Sequence, residues 1–477
     1  MAFNSFEYLF FLPIVFILYW FVFKTRRWQN LLIVVASYIF YGWWDWRFLV
    51  LIALTSVFSF GTGLLIERNE GKRPKQKFFS AANIIINLAI LGIFKYFNFF
   101  IDNFSELCRS FGFEADWPTL NVILPVGISF YTFQALSYSI DVYRGNIRAT
   151  KDPVEFFAYI SFFPQLVAGP IERATNLLPQ FQHERSFQYD RAVDGCRQIL
   201  WGLFKKVVVA DNCALMVNKY WDSFDTMPSV HIFFMLLFFT FQIYGDFSGY
   251  SDIAIGSARL FGINLMRNFN VPYFSRSIPE FWRRWHISLM TWFRDYIYFP
   301  LGGSRCSRWK VIRNTLIVFG VSGLWHGANW TFVCWGLYHA LLISLYILLG
   351  INTKNKDIVA NNRALPSLKE LGQMLLTFIL VVYGWLIFRA ENIGQVWDIT
   401  RAMFTNGSVG SETVRTDAFI YCGLLLVIEW IQRKREHALD ISGIRQRWLR
   451  WTIYVIFVLS LFALTPRTFS EFIYFQF

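Results

Sequence analysis

Long apolar blocks separated by short charged segments dominate this chain. An α-helix needs roughly 20 apolar residues to cross the hydrocarbon of a bilayer. Candidate blocks lie near residues 6–23, 29–44, 47–66, 79–100, 120–142, 153–168, 196–217, 229–250, 312–330, 331–350, 371–389, 418–432 and 450–465. The pattern predicts an all-α polytopic membrane protein, with one membrane domain over residues 1–477. The first block, FEYLFFLPIVFILYWFVF, is followed by KTRR and by no small-residue cleavage site, so we expect a retained transmembrane helix and not a removed signal peptide.

Loop charges set the expected orientation, because Lys and Arg in short loops resist translocation. Lys24, Arg26 and Arg27, then ERNEGKRPKQK (Glu67 to Lys77), then Arg144, Arg148 and Lys151 all belong in the cytoplasm on this rule. So do QRKREH (Gln432 to His437), RQRWLR (Arg445 to Arg450) and the loop from Asn352 to Glu370. Asp102, Glu106, Glu114 and Asp116 face outward, as do Trp221 to Asp225 and the stretch from Phe388 to Asn392. The basic and aromatic region from Met266 to Arg313 should lie at the cytoplasmic face or re-enter from it. That placement leaves one crossing too many upstream, so we read the block at 153–168, with Pro164 and Gly169 at its end, as re-entrant. Both termini then lie outside.

Composition narrows the classes. The 477 residues are 55% hydrophobic, 20% aromatic and only 16% charged, which a soluble surface does not tolerate. The net charge of +13 would suggest nucleic acid in a soluble chain; here the basic residues sit in the loops that set topology, and nucleic-acid binding is discarded. Cys108, Cys196, Cys213, Cys306, Cys334 and Cys422 show no CxxC pair or metal-ligand spacing and read as small apolar packers. Neither a metal site nor a tightly bound cofactor is expected.

Candidate chemistry rests on histidines. His183 and His437 sit in polar segments and read as solvated, while His231 begins a span at the interface. His326 stands among Trp325, Asn329 and Trp330, inside a run without charge from Asn314 to Leu349. An ionisable side chain at membrane depth points to a functional site, although a neutral imidazole bonded to a neighbouring helix accounts for it equally well. His339 would lie on a different face of one continuous helix and reads as a packing residue. His286 is the histidine of the basic segment. The arginines near it, Arg283, Arg284 and Arg294, either meet lipid phosphates or hold an anionic cosubstrate such as coenzyme A. Asp246 and Asp252 lie at or just beyond the end of an apolar span that Gly245 and Gly249 loosen, where a cation site, a proton relay or a helix cap are all open.

RRWHISLMTWFRDYIYFPLGGSR followed by GLWHGANWTFVCWGLYHALL resembles the signature pair of the bacterial membrane-bound O-acyltransferases, in the branch of the alginate O-acetyltransferase integral-membrane subunit. PVGISFYTFQALSYSIDVYRG, FPQLVAGPIER, IYGDFSGYSDIAIG and the tail FIYFQF agree with it. The resemblance implies a ring of tilted helices with re-entrant segments, open outward by a funnel and to the cytoplasm by a narrow acyl-donor tunnel. It implies His326 as the catalytic base and His286 as the second catalytic position, holding the donor or polarising its thioester carbonyl. Asn329, Arg283, Arg284, Arg294, Asp295, Trp282 and Asp246 are the expected substrate-binding residues.

The implied reaction is transfer of an acetyl group from a cytoplasmic donor, acetyl-coenzyme A or an acyl carrier thioester, toward an extracytoplasmic polysaccharide such as alginate. Partner proteins outside the inner membrane would complete it. D-alanyl transfer toward teichoic acid and peptidoglycan O-acetylation are rivals with the same fold. A multi-pass transporter or polysaccharide export channel is a rival of another class, for which the internal duplication that many transporters carry is not visible here.

Overall fold

The computed structural model describes residues 1–113, 117, 119–120, 124–351, 357–407, 417–466 and 472–473. Glu114, Asp116, Asn352 and Phe477, which carried parts of the expected topology, lie outside the described residues. Twenty α-helices and no strand occur among the described residues. They form two compact units, residues 1–192 with 257–265, and residues 193–256 with 266–477.

The first unit contains α1 (Phe6–Ile17), α2 (Arg26–Gly42), α3 (Leu49–Arg68), α4 (Arg73–Leu91), α5 (Phe97–Ser110), α6 (Ile128–Arg144), α7 (Pro153–Ser161), α8 (Phe163–Leu166) and α9 (Ala174–Gln182). Local chemistry starts these helices where the sequence suggests. Ser5 Oγ accepts from the Tyr8 amide at α1, and Asp152 with Pro153 opens α7. α4 continues through a π-helical turn, Gly92–Tyr96, into α5, so the block expected at 79–100 is one apolar helix over 73–110. The block at 153–168 breaks into α7 and α8. Nine residues of helix rise only about 14 Å, less than half the hydrocarbon thickness, so α7 cannot cross. Buried polar pairs hold the unit together. Asn83 donates to Ser59 Oγ and Thr62 Oγ1, and Arg26 pairs with the buried Glu155.

The second unit contains most of α10 (Tyr189–Leu203) and of α12 (Ser229–Leu260), with α11 (Asp211–Tyr220), α13 (Ile278–Arg284), α14 (Ile287–Phe293), α15 (Arg308–His326), α16 (Trp330–Leu348), α17 (Leu368–Arg389), α18 (Ile393–Thr405), α19 (Asp417–Ile431) and α20 (Arg447–Leu464). α12 corrects the sequence reading. It runs unbroken for 32 residues, and Asp246 and Asp252 lie inside it and not at its end. Gly249 does not loosen this helix. A Cβ there would meet Gly202 O at 2.7 Å, so the glycine lets α10 and α12 approach at backbone distance.

Among the described residues, six helices are long and apolar enough to span a membrane, by length and composition. Their outer faces fit lipid and not water: in α20, Trp448, Trp451, Leu459 and Phe462 are all exposed, and none of its spanning window is buried. The protein is a multi-pass membrane protein.

Candidate active site

The charge-free histidine segment is a hairpin and not one helix. α15 ends at His326 because Gly327 turns to extended backbone, and Asn329 opens α16 by accepting the Thr331 amide at 3.0 Å. The two helices then run back along each other at backbone contact. A Cβ on Gly323 would lie 2.2 Å from Phe332 O, and one on Gly336 would lie 2.1 Å from Phe319 O. This is the use of the glycines in GLWHG and CWGLYH. Because of the break, His326 and His339 are brought near one another after all: Trp335 meets the His326 ring at 5.0 Å and the His339 ring at 5.4 Å, edge-on to both.

His326 is 5% exposed and walled by Trp325, Trp335 and Phe388, with ring centroids at 4.8, 5.0 and 5.3 Å. His339 is packed among Phe281, Trp282, Trp335 and Tyr338. Neither of its ring nitrogens has a hydrogen-bond partner among the described residues, and Nε2 faces Gly384, where a Cβ would come within 2.7 Å.

His286 sits in the break between α13 and α14, outside the long spanning helices. Its backbone is left-handed, with φ at +45°, a conformation that costs a non-glycine residue on the order of 1–3 kcal/mol. Two backbone bonds hold it there, Ile287 N to Asn268 O at 2.9 Å and Asn270 N to Arg284 O at 2.9 Å. Its ring lies against Phe247 at 4.7 Å and against Trp325 at 6.0 Å. His286 and His326 thus border the same indole.

The hydrogen bonds of His286 define its proton. Nδ1 lies 3.1 Å from Asn268 Oδ1, which also accepts the Ser288 hydroxyl at 2.8 Å and the Ser288 backbone N–H at 3.3 Å. A backbone N–H can only donate, so the asparagine atom is the oxygen and Nδ1 carries the hydrogen. Nε2 has no hydrogen-bond partner among the described residues. Burial pushes the imidazole down to about 3, which keeps the ring neutral.

The other expected site residues separate. Trp282 is buried against Phe319, Trp335 and His339. Arg284 is buried and committed to Glu280, Nη2 to Oε1 at 2.9 Å, with a further bond to Asn270 O at 3.3 Å, so it is not placed to hold a substrate phosphate. Arg283 is exposed, and Arg294 is a surface residue paired with Asp295 at 2.7 Å. Asn329 Nδ2 donates to Glu391 O at 2.7 Å, which leaves its amide engaged at both ends. Asp246 is neither a cap nor an open cation site: it pairs with Lys206 at 2.8 Å, and its other oxygen accepts the Ile473 amide at 2.7 Å, tying the C-terminal tail to α12. His437, expected to be solvated, is buried and bonded to Asp194 at 3.0 Å. Cys196, expected to pack, is exposed, whereas Cys213 and Cys422 are buried with sulfurs 3.5 Å apart.

Asn268 and Trp335 shape the site and were not singled out in the sequence, while Trp325 was named only as a neighbour of His326. The family model for the membrane-bound O-acyltransferases matches residues 39–355, a range that holds both histidines and Asn268. The chain belongs to this family. Among its relatives, the "probable alginate O-acetylase AlgI" of Pseudomonas aeruginosa is 42% identical over 409 residues, covering 86% of this chain and 76% of that protein. The protein of the same name in Pseudomonas putida is 37% identical over the whole of both chains. The peptidoglycan O-acetyltransferase of Helicobacter pylori is 34% identical, covering 82% of this chain and 77% of its own. The chain is therefore a membrane-bound O-acyltransferase with an all-helical polytopic fold, and the hairpin that carries His326 lies within the part the family shares.

Proposed function

We propose that this acyltransferase takes an acetyl group from a thioester donor on the cytoplasmic side and passes it toward an extracytoplasmic polysaccharide, alginate or a polymer like it, in the cell inner membrane. The observation that carries the reading is the pair of buried imidazoles, His286 and His326, bordering Trp325. It is supported by the O-acetylase relatives that match most of the chain.

Acyl transfer from a thioester to a hydroxyl needs no external energy source; the catalyst aligns the partners and handles one proton. His326 removes the hydroxyl proton, the oxygen attacks the thioester carbon, and the C–S bond breaks to release the thiol. A neutral imidazole suits the first step. His286 serves the donor side. Acetyl-coenzyme A is the preferred donor and an acyl carrier thioester the alternative, with Arg283 and Arg294 as the exposed cations that could meet phosphate. Partner proteins outside the membrane would complete the transfer to polymer.

Ester-linked acetate on envelope polysaccharide, measured by mass spectrometry in wild-type and deletion cells, tests the reading. Loss of acetate on deletion supports it. Loss of D-alanine esters instead would favour transfer toward teichoic acid.

A further inference from the structure

An imidazole next to a thioester can do one of two things: donate a hydrogen bond to the carbonyl, or accept a proton. Carbonyl polarisation needs N–H at the nitrogen that faces the substrate. In His286 the N–H is at Nδ1, turned to Asn268, and Nε2 carries the lone pair. Asn268 is itself fixed, because its Nδ2 donates to Ser251 Oγ on α12 at 3.1 Å and its backbone carbonyl accepts the Ile287 amide. Ring, asparagine and strained backbone hold one tautomer.

We infer that His286 is the proton shuttle of the donor side, with Asn268 as the positioning residue that sets its tautomer. This rests on the proposed thioester chemistry. The proton that His326 takes from the hydroxyl passes to Nε2 of His286 and from there to the sulfur of the departing thiolate. The O–C bond forms, the C–S bond breaks, the thiol leaves protonated, and both histidines return to neutrality. The surroundings favour the last step. The ring faces Phe247 and Trp325 and is 1% exposed, so an imidazolium there is poorly solvated and gives its proton up readily. Nδ1 stays bonded to Asn268 throughout, so the proton leaves from Nε2.

A shuttle to the leaving group predicts dependence on that group's acidity. Membranes of producing cells are given acetyl-coenzyme A, whose thiol is alkyl, or S-phenyl thioacetate, whose thiol is far more acidic and leaves without help. Thiol release is read against membranes lacking the protein. His286→Ala should lose roughly 10²-fold with acetyl-coenzyme A and return to within about tenfold of wild type with the phenyl donor. His326→Ala should lose equally with both. Asn268→Leu should follow His286→Ala, and Asn268→Asp, which sets a buried carboxylate against Nδ1 and holds the imidazolium, should slow thiol release from acetyl-coenzyme A more than from the phenyl donor. The ratio between donors is taken within one sample, so it does not depend on how much variant folds. Equal losses of His286→Ala with the two donors overturn the shuttle. So does wild-type activity of His286→Gln with acetyl-coenzyme A, since glutamine offers an N–H to a carbonyl but cannot carry a proton. Full activity of His326→Ala with either donor instead overturns the functional reading beneath it.

Discussion

The Trp335 indole meets the His326 ring edge-on at a centroid separation of 5.0 Å. Trp335 is fully buried and also meets His339, at 5.4 Å, so one side chain packs against both imidazoles. Trp335→Ala removes that wall and leaves a cavity, at a cost of about 3–5 kcal/mol. It should lower both protein level and activity. His339→Ala should lower activity only in proportion to abundance, because His339 is packed among Phe281, Trp282, Trp335 and Tyr338. Specific activity per unit of membrane protein separates the two cases.

The α15–α16 hairpin predicts sharp intolerance at Gly336 and tolerance at Gly320. Gly336→Val puts side-chain atoms into the Phe319 carbonyl, where even a Cβ would be 2.1 Å away, and the protein should fail to accumulate. Gly320→Ala, whose nearest neighbour would be 3.8 Å away, should accumulate normally. Size-exclusion chromatography of detergent extracts reads both.

Arg283 and Arg284 are adjacent in sequence and opposite in role. Glu280 is paired with both Arg284 and Arg276, so Arg284→Gln removes one of its two cations and the bond to Asn270 O while Arg276 still neutralises the carboxylate. The expected result is a moderate fall in thermal stability, and the double change Arg276→Gln with Arg284→Gln should fall much further. Arg283→Gln should leave stability unchanged and weaken acetyl-coenzyme A binding, measured by titration of the purified protein, if the exposed guanidinium meets a donor phosphate.

The loop-charge rule predicts that Lys75 and Lys434 face the cytoplasm. Cysteines introduced at these positions, in a background without Cys196, should be labelled by a membrane-impermeant thiol reagent in inverted vesicles and not in intact cells. Labelling of Lys434→Cys in intact cells would mean one crossing is miscounted downstream of α12.

The spans were legible because apolar length is a local property of sequence, and blocks such as 47–66 and 371–389 became α3 and α17 with ends shifted by a few residues. The break at Gly327 was harder to see. The apolar run continues through it, and only the Asn329 cap and the backbone contact of Gly323 with Phe332 show that the chain reverses. On one continuous helix His326 and His339 would point apart, whereas the break brings both rings against Trp335. The arginines were read as one group because sequence shows charge and not partners, and Glu280, four residues before Arg284, takes one of them out of solvent. Asn268 left no local signal: it lies 18 residues before His286, in the irregular segment between α12 and α13, and its role exists only once the chain has folded back.

The central claim is that His326 is the base of the transfer. His326→Ala in cells should abolish ester-linked acetate on the isolated polysaccharide while the protein inserts and accumulates as wild type, because the change removes the proton acceptor and spares the α15–α16 backbone contacts. Acetate is quantified against membrane protein level in the same cells. Near-wild-type acetate at normal protein level would contradict the account.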